Sequence, residues 1–342
     1  MSVTETKMRQ EVLEIPAAVD RLLTMGQSAI TAAANKAREV NAPFLLSVAR
    51  GSSDHACTYL KYCSELMLRR PMASVGPSVK SIYGVDLLCD GAVSISVSQS
   101  GQSPDIVAMT EGIAKNGGHT VAITNNPASR LAAVAHDTLN IHAGPELSVA
   151  ATKTFVTSLI SGLWLIAEIK QDADLLRAIA ALPPFLEKAT TLDWSPLAHA
   201  IDGRSIYTLG RGPSWAISNE AALKFKETAL IHAESYSSAE VLHGPVSIIE
   251  QGFPVIGFAA GDAAEDSLAD TADALAQKGA RVFATTDRVA HATPLPHVRT
   301  QHWLTDPIAA IVSFYLMVES VATRRGINPD MPRHLNKVTE TV

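Results

Sequence analysis

A chain of 342 residues, 47% hydrophobic and 18% charged, exceeds one typical core and has the composition of a soluble globular protein with one large or two medium domains. A formal net charge of −6, with no dense Lys/Arg tract, argues against a nucleic-acid or membrane-surface role. The three cysteines, Cys57, Cys63 and Cys89, form no C-x-x-C pair and are odd in number, which speaks for reduced thiols in a cytoplasmic protein and against a zinc site.

The first residues, "MSVTETKMRQEVLEIP", carry acids and lack the apolar core of a signal peptide. Residues 17–40 read as one or two helices. The runs "PFLLSVA" (43–49), "AVSISVS" (92–98) and "HTVAITN" (119–125) read as buried strands, with helices between Asp54 and Arg69 and between Pro104 and Lys115. Strands apolar on both faces and separated by helices imply a parallel sheet covered on both sides. A long helical pattern covers 148–169, and 171–199 reads as a helical link. The apolar stretch 308–322 is too short to span a bilayer and contains Glu319.

After the link the pattern repeats. "SIYTLGRGPSWAISNEAAL" (205–223) echoes "LLSVARGSSDHACTYL" (45–60), each with a strand, an Arg-Gly pair, one residue, a serine and a helix. "FPVIGFAAGDAAEDSLAD" (253–270) echoes "AVSISVSQSGQSPDIVAM" (92–109). The expected plan is an α/β duplication. Its segments are an N-terminal helical segment (1–35), a first doubly wound domain (36–170), a helical linker (171–199), a second domain (200–325) and a tail (326–342).

The copies differ at one loop. Ser98-Gln99-Ser100 of the first stands as Ala259-Ala260-Gly261 in the second, so folding alone does not demand the polar version. In a doubly wound unit ligands bind beyond the carboxyl ends of the strands, where helix N-termini favour anions. The hydroxyls of Ser52, Ser53, Ser98, Ser100 and Ser103, with Gln99, read together as a phosphate cradle. Ser53 and Ser103 taken singly read as helix caps. With no GxGxxG and no Walker-type lysine, the ligand reads as a small phosphoester rather than NAD or ATP.

The motifs "SQSGQSPD", "SVAATKTF" (148–155), "EAALKFKETALIHAESY" (220–236), "EVLHGP" (240–245) and "PRHLNKVT" (332–339) together resemble the double sugar-isomerase (SIS) domain module. More closely, the chain looks like the isomerase half of glucosamine-6-phosphate synthase and its free-standing relatives. The resemblance implies two tandem SIS domains, each a doubly wound parallel α/β sheet flanked by helices. It matches Glu227 to the base that carries a proton between C1 and C2 of an open-chain sugar phosphate. Glu220 and Lys224 match groups that hold sugar hydroxyls. The spacing of Glu220, Lys224 and Glu227 puts all three on one helix face, where by itself it reads as an exposed ion pair.

His243 matches a ring-opening histidine supplied by a neighbouring subunit, and Lys337 matches a lysine that forms a Schiff base with the ketose. Ser53, Ser98, Gln99, Ser100 and Ser103 match the phosphate ligands, with Ser52 beside them in the first loop, and Val149 and Ala151 fall in the substrate-binding loop. Ala151 replaces a serine of the synthase motif and Arg50 a cysteine. The resemblance further implies a homodimer with a shared site, a sugar phosphate as small-molecule partner, no nucleic-acid or membrane partner, and neither metal nor redox cofactor.

The chain starts "MSVTE", without the cysteine of the synthase's glutaminase domain, so no ammonia is expected from glutamine. Free ammonia is dilute, and mass action favours deamination of glucosamine 6-phosphate to fructose 6-phosphate and ammonia. The alternatives are a fructosamine-6-phosphate deglycase, an aldose–ketose isomerase or separate synthase subunit, and a non-catalytic sugar-phosphate sensor. The sensor ranks last, because it has no need of Glu227 with Lys337.

Overall fold

The structure, a computed structural model, describes residues 5–203, 205–335 and 337. They fall into two units. One takes Ala17–Glu146, Lys153–Ala180 and Lys337, and the other takes residues 5–16, Leu147–Thr152 and Ala181–Leu335.

The first unit contains strands β1 (Leu45–Val48), β2 (Met72–Ser74), β3 (Val93–Val97), β4 (His119–Thr124) and β5 (Asp137–Asn140). Their spatial order is β2-β1-β3-β4-β5, with every neighbouring pair parallel. All residues of β1 and β3 are buried, which is why these strands show no alternation of apolar and polar residues. The helices Gln27–Val40, Ser52–Cys63 and Lys153–Lys170 pack together, as do Ser78–Ser81, Pro104–Lys115 and Arg130–Val134.

The second unit contains β6 (Ser205–Gly210), β7 (His232–Ser237), β8 (Pro254–Phe258), β9 (Arg281–Ala284) and β10 (Thr293–Pro294), in the order β10-β9-β8-β6-β7, again all parallel. Counted from the other edge this is the same order as in the first sheet. The fold is therefore α/β, with two doubly wound sheets. In each, the chain's direction of travel across the sheet reverses between the first and third strands, and a reversal of that kind opens a crevice at the strands' carboxyl ends.

The two copies agree residue by residue at this point. The helices Ser52–Cys63 and Pro213–Ala229 both begin immediately after the Arg-Gly pair. Both are preceded by a glycine in the same unusual conformation, φ 55° and ψ −133° at Gly51 and φ 56° and ψ −137° at Gly212, which a side chain would strain.

Local departures from expectation have identifiable causes. The pattern at 17–40 resolves into two helices, Ile15–Met25 and Gln27–Val40, with Gly26 at the joint. The helix expected from Asp54 starts at Ser52 and passes after Cys63 into a π-helical turn, Ser64–Leu68. The helix expected from Ser148 starts only at Lys153.

The apolar stretch 308–322 lies in the helix Asp306–Arg324, whose 19 residues are, contrary to expectation, long and apolar enough to cross a membrane by length and composition. Within the protein 78% of its most apolar window is buried, as in a core helix. Its Glu319 accepts hydrogen bonds from Thr6 Oγ1 at 2.8 Å and Arg9 Nη1 at 3.1 Å.

Candidate active site

The polar loop of the first unit closes the crevice between β1 and β3. Gly101 has φ 63°, and a Cβ there would run into the side chain of Ser129 and come within 3.1 Å of Thr124 Oγ1. The loop therefore lies tight against its neighbours. The Gln99 carbonyl accepts from Asn125 N at 3.0 Å and Thr124 Oγ1 at 3.2 Å. Ser98 Oγ accepts from Gly101 N at 3.2 Å, and Ser100 Oγ accepts from Gln102 N at 3.3 Å. A hydroxyl that accepts from its own backbone keeps its proton for an outside acceptor, and two such donors before a helix N-terminus suit an anion.

The capping alternative fails for both serines. Ser103 occupies the cap position of Pro104–Lys115 but makes no side-chain cap bond, and Ser53 is the second residue of a helix capped by Gly51. Ser52, Ser53, Gln99, Ser100 and Ser103 are half-buried and Ser98 is buried. Arg50 Nε donates to Asp105 Oδ2 at 2.7 Å, linking the two loops that border the crevice. Asp105 is wholly buried and also accepts from Ile106 N at 2.8 Å.

The matching crevice of the second unit is occupied by protein. Gly261 N, the counterpart of Ser100 N, donates to Asp306 Oδ2 at 2.8 Å. Glu265 accepts from Thr286 Oγ1 at 2.7 Å and Arg299 Nη2 at 2.5 Å. Carboxylates of the chain itself take the polar contacts there, so this copy needs no hydroxyl-rich loop.

On the helix Pro213–Ala229, Lys224 Nζ lies 3.1 Å from Glu220 Oε1 and 2.6 Å from Glu227 Oε2. The side chains of Glu220 and Lys224 are fully buried and that of Glu227 is 21% exposed. This is not the exposed pair that helical spacing alone suggests. Burial by itself would lower the proton affinity of Lys224, but the charges of Glu220 and Glu227 outweigh it and push the amine well above its ordinary value. Tyr315 OH donates to Glu220 Oε1 at 3.2 Å. The result is a sequestered cation with one closed carboxylate and one that solvent, or a substrate, can reach.

Residues 147–152 form a loop held by carboxylates. Glu11 accepts from Leu147 N and, at 3.2 and 3.3 Å, from Ser148 N. Val149 and Ala151 on this loop are half-buried. In the first unit, buried Glu146 accepts from Thr154 N at 3.1 Å, Thr154 Oγ1 at 2.7 Å and Lys337 Nζ at 2.7 Å. These two acids keep 147–152 out of the helix. Sequence reasoning missed both, because neither Glu11, within the short helix Lys7–Leu13, nor Glu146, in a loop, belongs to a motif or spacing that marks it.

His243 is exposed, at the end of the short 3-10 turn Glu240–Leu242, and its backbone N donates to Glu240 O at 2.9 Å. Among the described residues no hydrogen bond or ion pair joins it to Glu227. The structure thus brings together Glu220, Lys224 and Glu227, and separately Ser98–Ser103 with the Arg50 loop.

Two parallel sheets of this topology, with a hydroxyl-rich loop at one switch point, define a tandem doubly wound α/β protein with one polar crevice. The chain belongs to the SIS domain family, whose model matches residues 40–168 and again 201–321. It is 58% identical to a solved protein from Silicibacter pomeroyi DSS-3 described as a putative phosphosugar isomerase, with 95% of this chain and 100% of that one covered and a TM-score of 0.93. It is 32% identical over 301 residues to glutamine–fructose-6-phosphate aminotransferase (isomerizing) of Pyrococcus horikoshii, covering 84% of this chain and 50% of that protein. The chain spans about half the length of the curated relatives it matches. A glucosamine-6-phosphate deaminase from Thermotoga maritima shares the fold, at 21% identity and a TM-score of 0.73 over 92% of this chain and 99% of that one.

Proposed function

We propose that the chain is a phosphosugar isomerase of the SIS type whose reaction ends in deamination, converting glucosamine 6-phosphate and water to fructose 6-phosphate and ammonia. The observation that carries this reading is the buried Lys224 between Glu220 and Glu227. Burying an ionic triad costs several kcal/mol unless it is fully paired, and a helix with only a packing role would place apolar side chains there. Glu227, tethered through Oε2 and still partly open, is suited to move a proton.

In this reading Ser98, Ser100, Ser103, Gln99, Ser52 and Ser53 hold the phosphate, and Val149 and Ala151 border the sugar. Glu227 takes the proton from C2 of the opened sugar and returns it at C1, leaving an imine at C2. The amine of Lys337 adds to that carbon and displaces ammonia. Water then hydrolyses the lysine imine to the ketone, restoring the amine. His243 assists ring opening from a second copy of the chain.

All three cysteines are buried, and burial pushes the thiols of Cys57 and Cys63 far above their ordinary range, so neither is a nucleophile for a glutamine amide. A second reading is aldose–ketose isomerisation alone, with which the word isomerizing in the name of the 32% identical relative is compatible. Incubation with glucosamine 6-phosphate, and separately with fructose 6-phosphate, separates the two. Ammonia formed in step with fructose 6-phosphate is the expected result; sugar interconversion without ammonia sustains the second reading, and no turnover of either kind removes both.

A further inference from the structure

We infer that Glu146 is the positioning residue for Lys337. The inference deepens the proposed function, since it rests on Lys337 being the amine that meets the sugar carbon. The Glu146 side chain is completely buried, whereas Lys337 keeps 25% of its own exposed. The buried carboxylate is fixed at both oxygens. Oε1 accepts from the Thr154 backbone N at 3.1 Å, and Oε2 accepts from Thr154 Oγ1 at 2.7 Å. Thr154 is the second residue of Lys153–Lys170, so its amide is one that no preceding helical carbonyl can satisfy, and the helix N-terminus favours the negative charge. Glu146 therefore has a defined orientation set by a core helix.

Lys337 reaches this carboxylate from 191 residues further along the chain, and its Nζ lies 2.7 Å from Oε2. Anchoring a tail to the surface needs only an exposed acid, which would cost nothing to desolvate. A sequestered acid is expensive to maintain, and what it adds is a fixed location for the amine. Lys337 lies outside every helix and strand, so its own backbone gives little orientation. The carboxylate supplies it.

The consequence for chemistry is specific. For the amine to bond to the sugar carbon the ammonium must give up one proton, and the adjacent Glu146 carboxylate is the acceptor. With fructose 6-phosphate the neutral amine adds to the C2 ketone, the carbonyl oxygen leaves as water and a C=N bond remains. Borohydride, which supplies a hydride, reduces that bond to a stable secondary amine.

The test is borohydride trapping with fructose 6-phosphate, read by mass spectrometry of the peptide containing Lys337, in wild type, Glu146→Gln and Thr154→Val. The glutamine keeps the size of the side chain but neither its charge nor its capacity to take a proton. The expected result is an adduct on Lys337 in the wild type and at least about tenfold less in Glu146→Gln, with the affinity for fructose 6-phosphate within about threefold. Glu146→Asp, which keeps the carboxylate on a shorter stem, should recover part of the adduct; a packing defect would not respond to restored charge in this way. Thr154→Val, which removes the hydroxyl that orients the same carboxylate, should reduce the adduct by a smaller factor and serves alone if the glutamine variant does not fold. Equal adduct in wild type and variants overturns the role of Glu146 while leaving Lys337 in place. No adduct on Lys337 in the wild type overturns the reading of Lys337 and the inference with it.

Discussion

Lys224 is a fully buried amine that stays charged because two carboxylates lie within 3.1 Å of it. Replacing it with methionine keeps much of the stem but leaves Glu220 and Glu227 facing each other uncompensated. Lys224→Met should lose about 3–5 kcal/mol of stability, read as a shift of the urea midpoint. Since the folded amine holds its proton more tightly than the unfolded one, this contribution is complete below about pH 10 and fades as the pH rises beyond it. Glu227 answers to a different measurement. Glu227→Gln should lower turnover at least ~10²-fold with sugar-phosphate affinity within a few-fold, and it should abolish exchange of the C2 hydrogen with deuterated water, followed by NMR. Wild-type exchange in that variant would assign the proton transfer to another group. The spacing of these three residues on one helix face was legible from sequence. Their burial was not, because it depends on Tyr315 and on the helix Asp306–Arg324, which packs against their own.

At the scale of elements, the loop Ser98–Ser103 and its counterpart Ala259–Ala264 perform the same turn with different chemistry. In both copies the strand ends at the residue before the loop and the helix begins at the residue after it. Ser98→Ala with Ser100→Ala should therefore leave the thermal midpoint little changed and weaken sugar-phosphate binding by about 1–3 kcal/mol, measured by calorimetric titration. Unaltered affinity in the folded double variant would remove the phosphate role. The helix start at Lys153 shows the limit of pattern at this scale. "SVAATK" continues the helical periodicity that follows it, yet Glu11 takes the Leu147 and Ser148 amides and Glu146 that of Thr154, and these bonds compete successfully with a helical turn. Arg50 is similar. Sequence marks it as a departure from the synthase pattern, and only the fold reveals its bond to Asp105.

At the scale of the whole molecule, the proposed function calls on a second copy of the chain, because the resemblance assigns ring opening to a histidine at the position of His243 supplied by a neighbouring subunit, and His243 is exposed. Mixing inactive Glu227→Gln with inactive His243→Ala should restore part of the activity, since one site of a mixed dimer then has both native residues. Absence of complementation, with subunit exchange demonstrated by mass spectrometry, would place His243 outside the reaction. Local pattern alone sufficed for the α/β class, the duplication and the position of the polar loop. These depend on hydrophobic runs, turn formers and helix spacing, all of which act over a few neighbouring residues. What required the folded chain were the strand order shared by the two sheets, the carboxylates that occupy the second crevice, and the pairing of Glu146 with Lys337 across 191 residues. A buried charge finds its partner through packing, and no short-range rule encodes which distant side chain that partner will be.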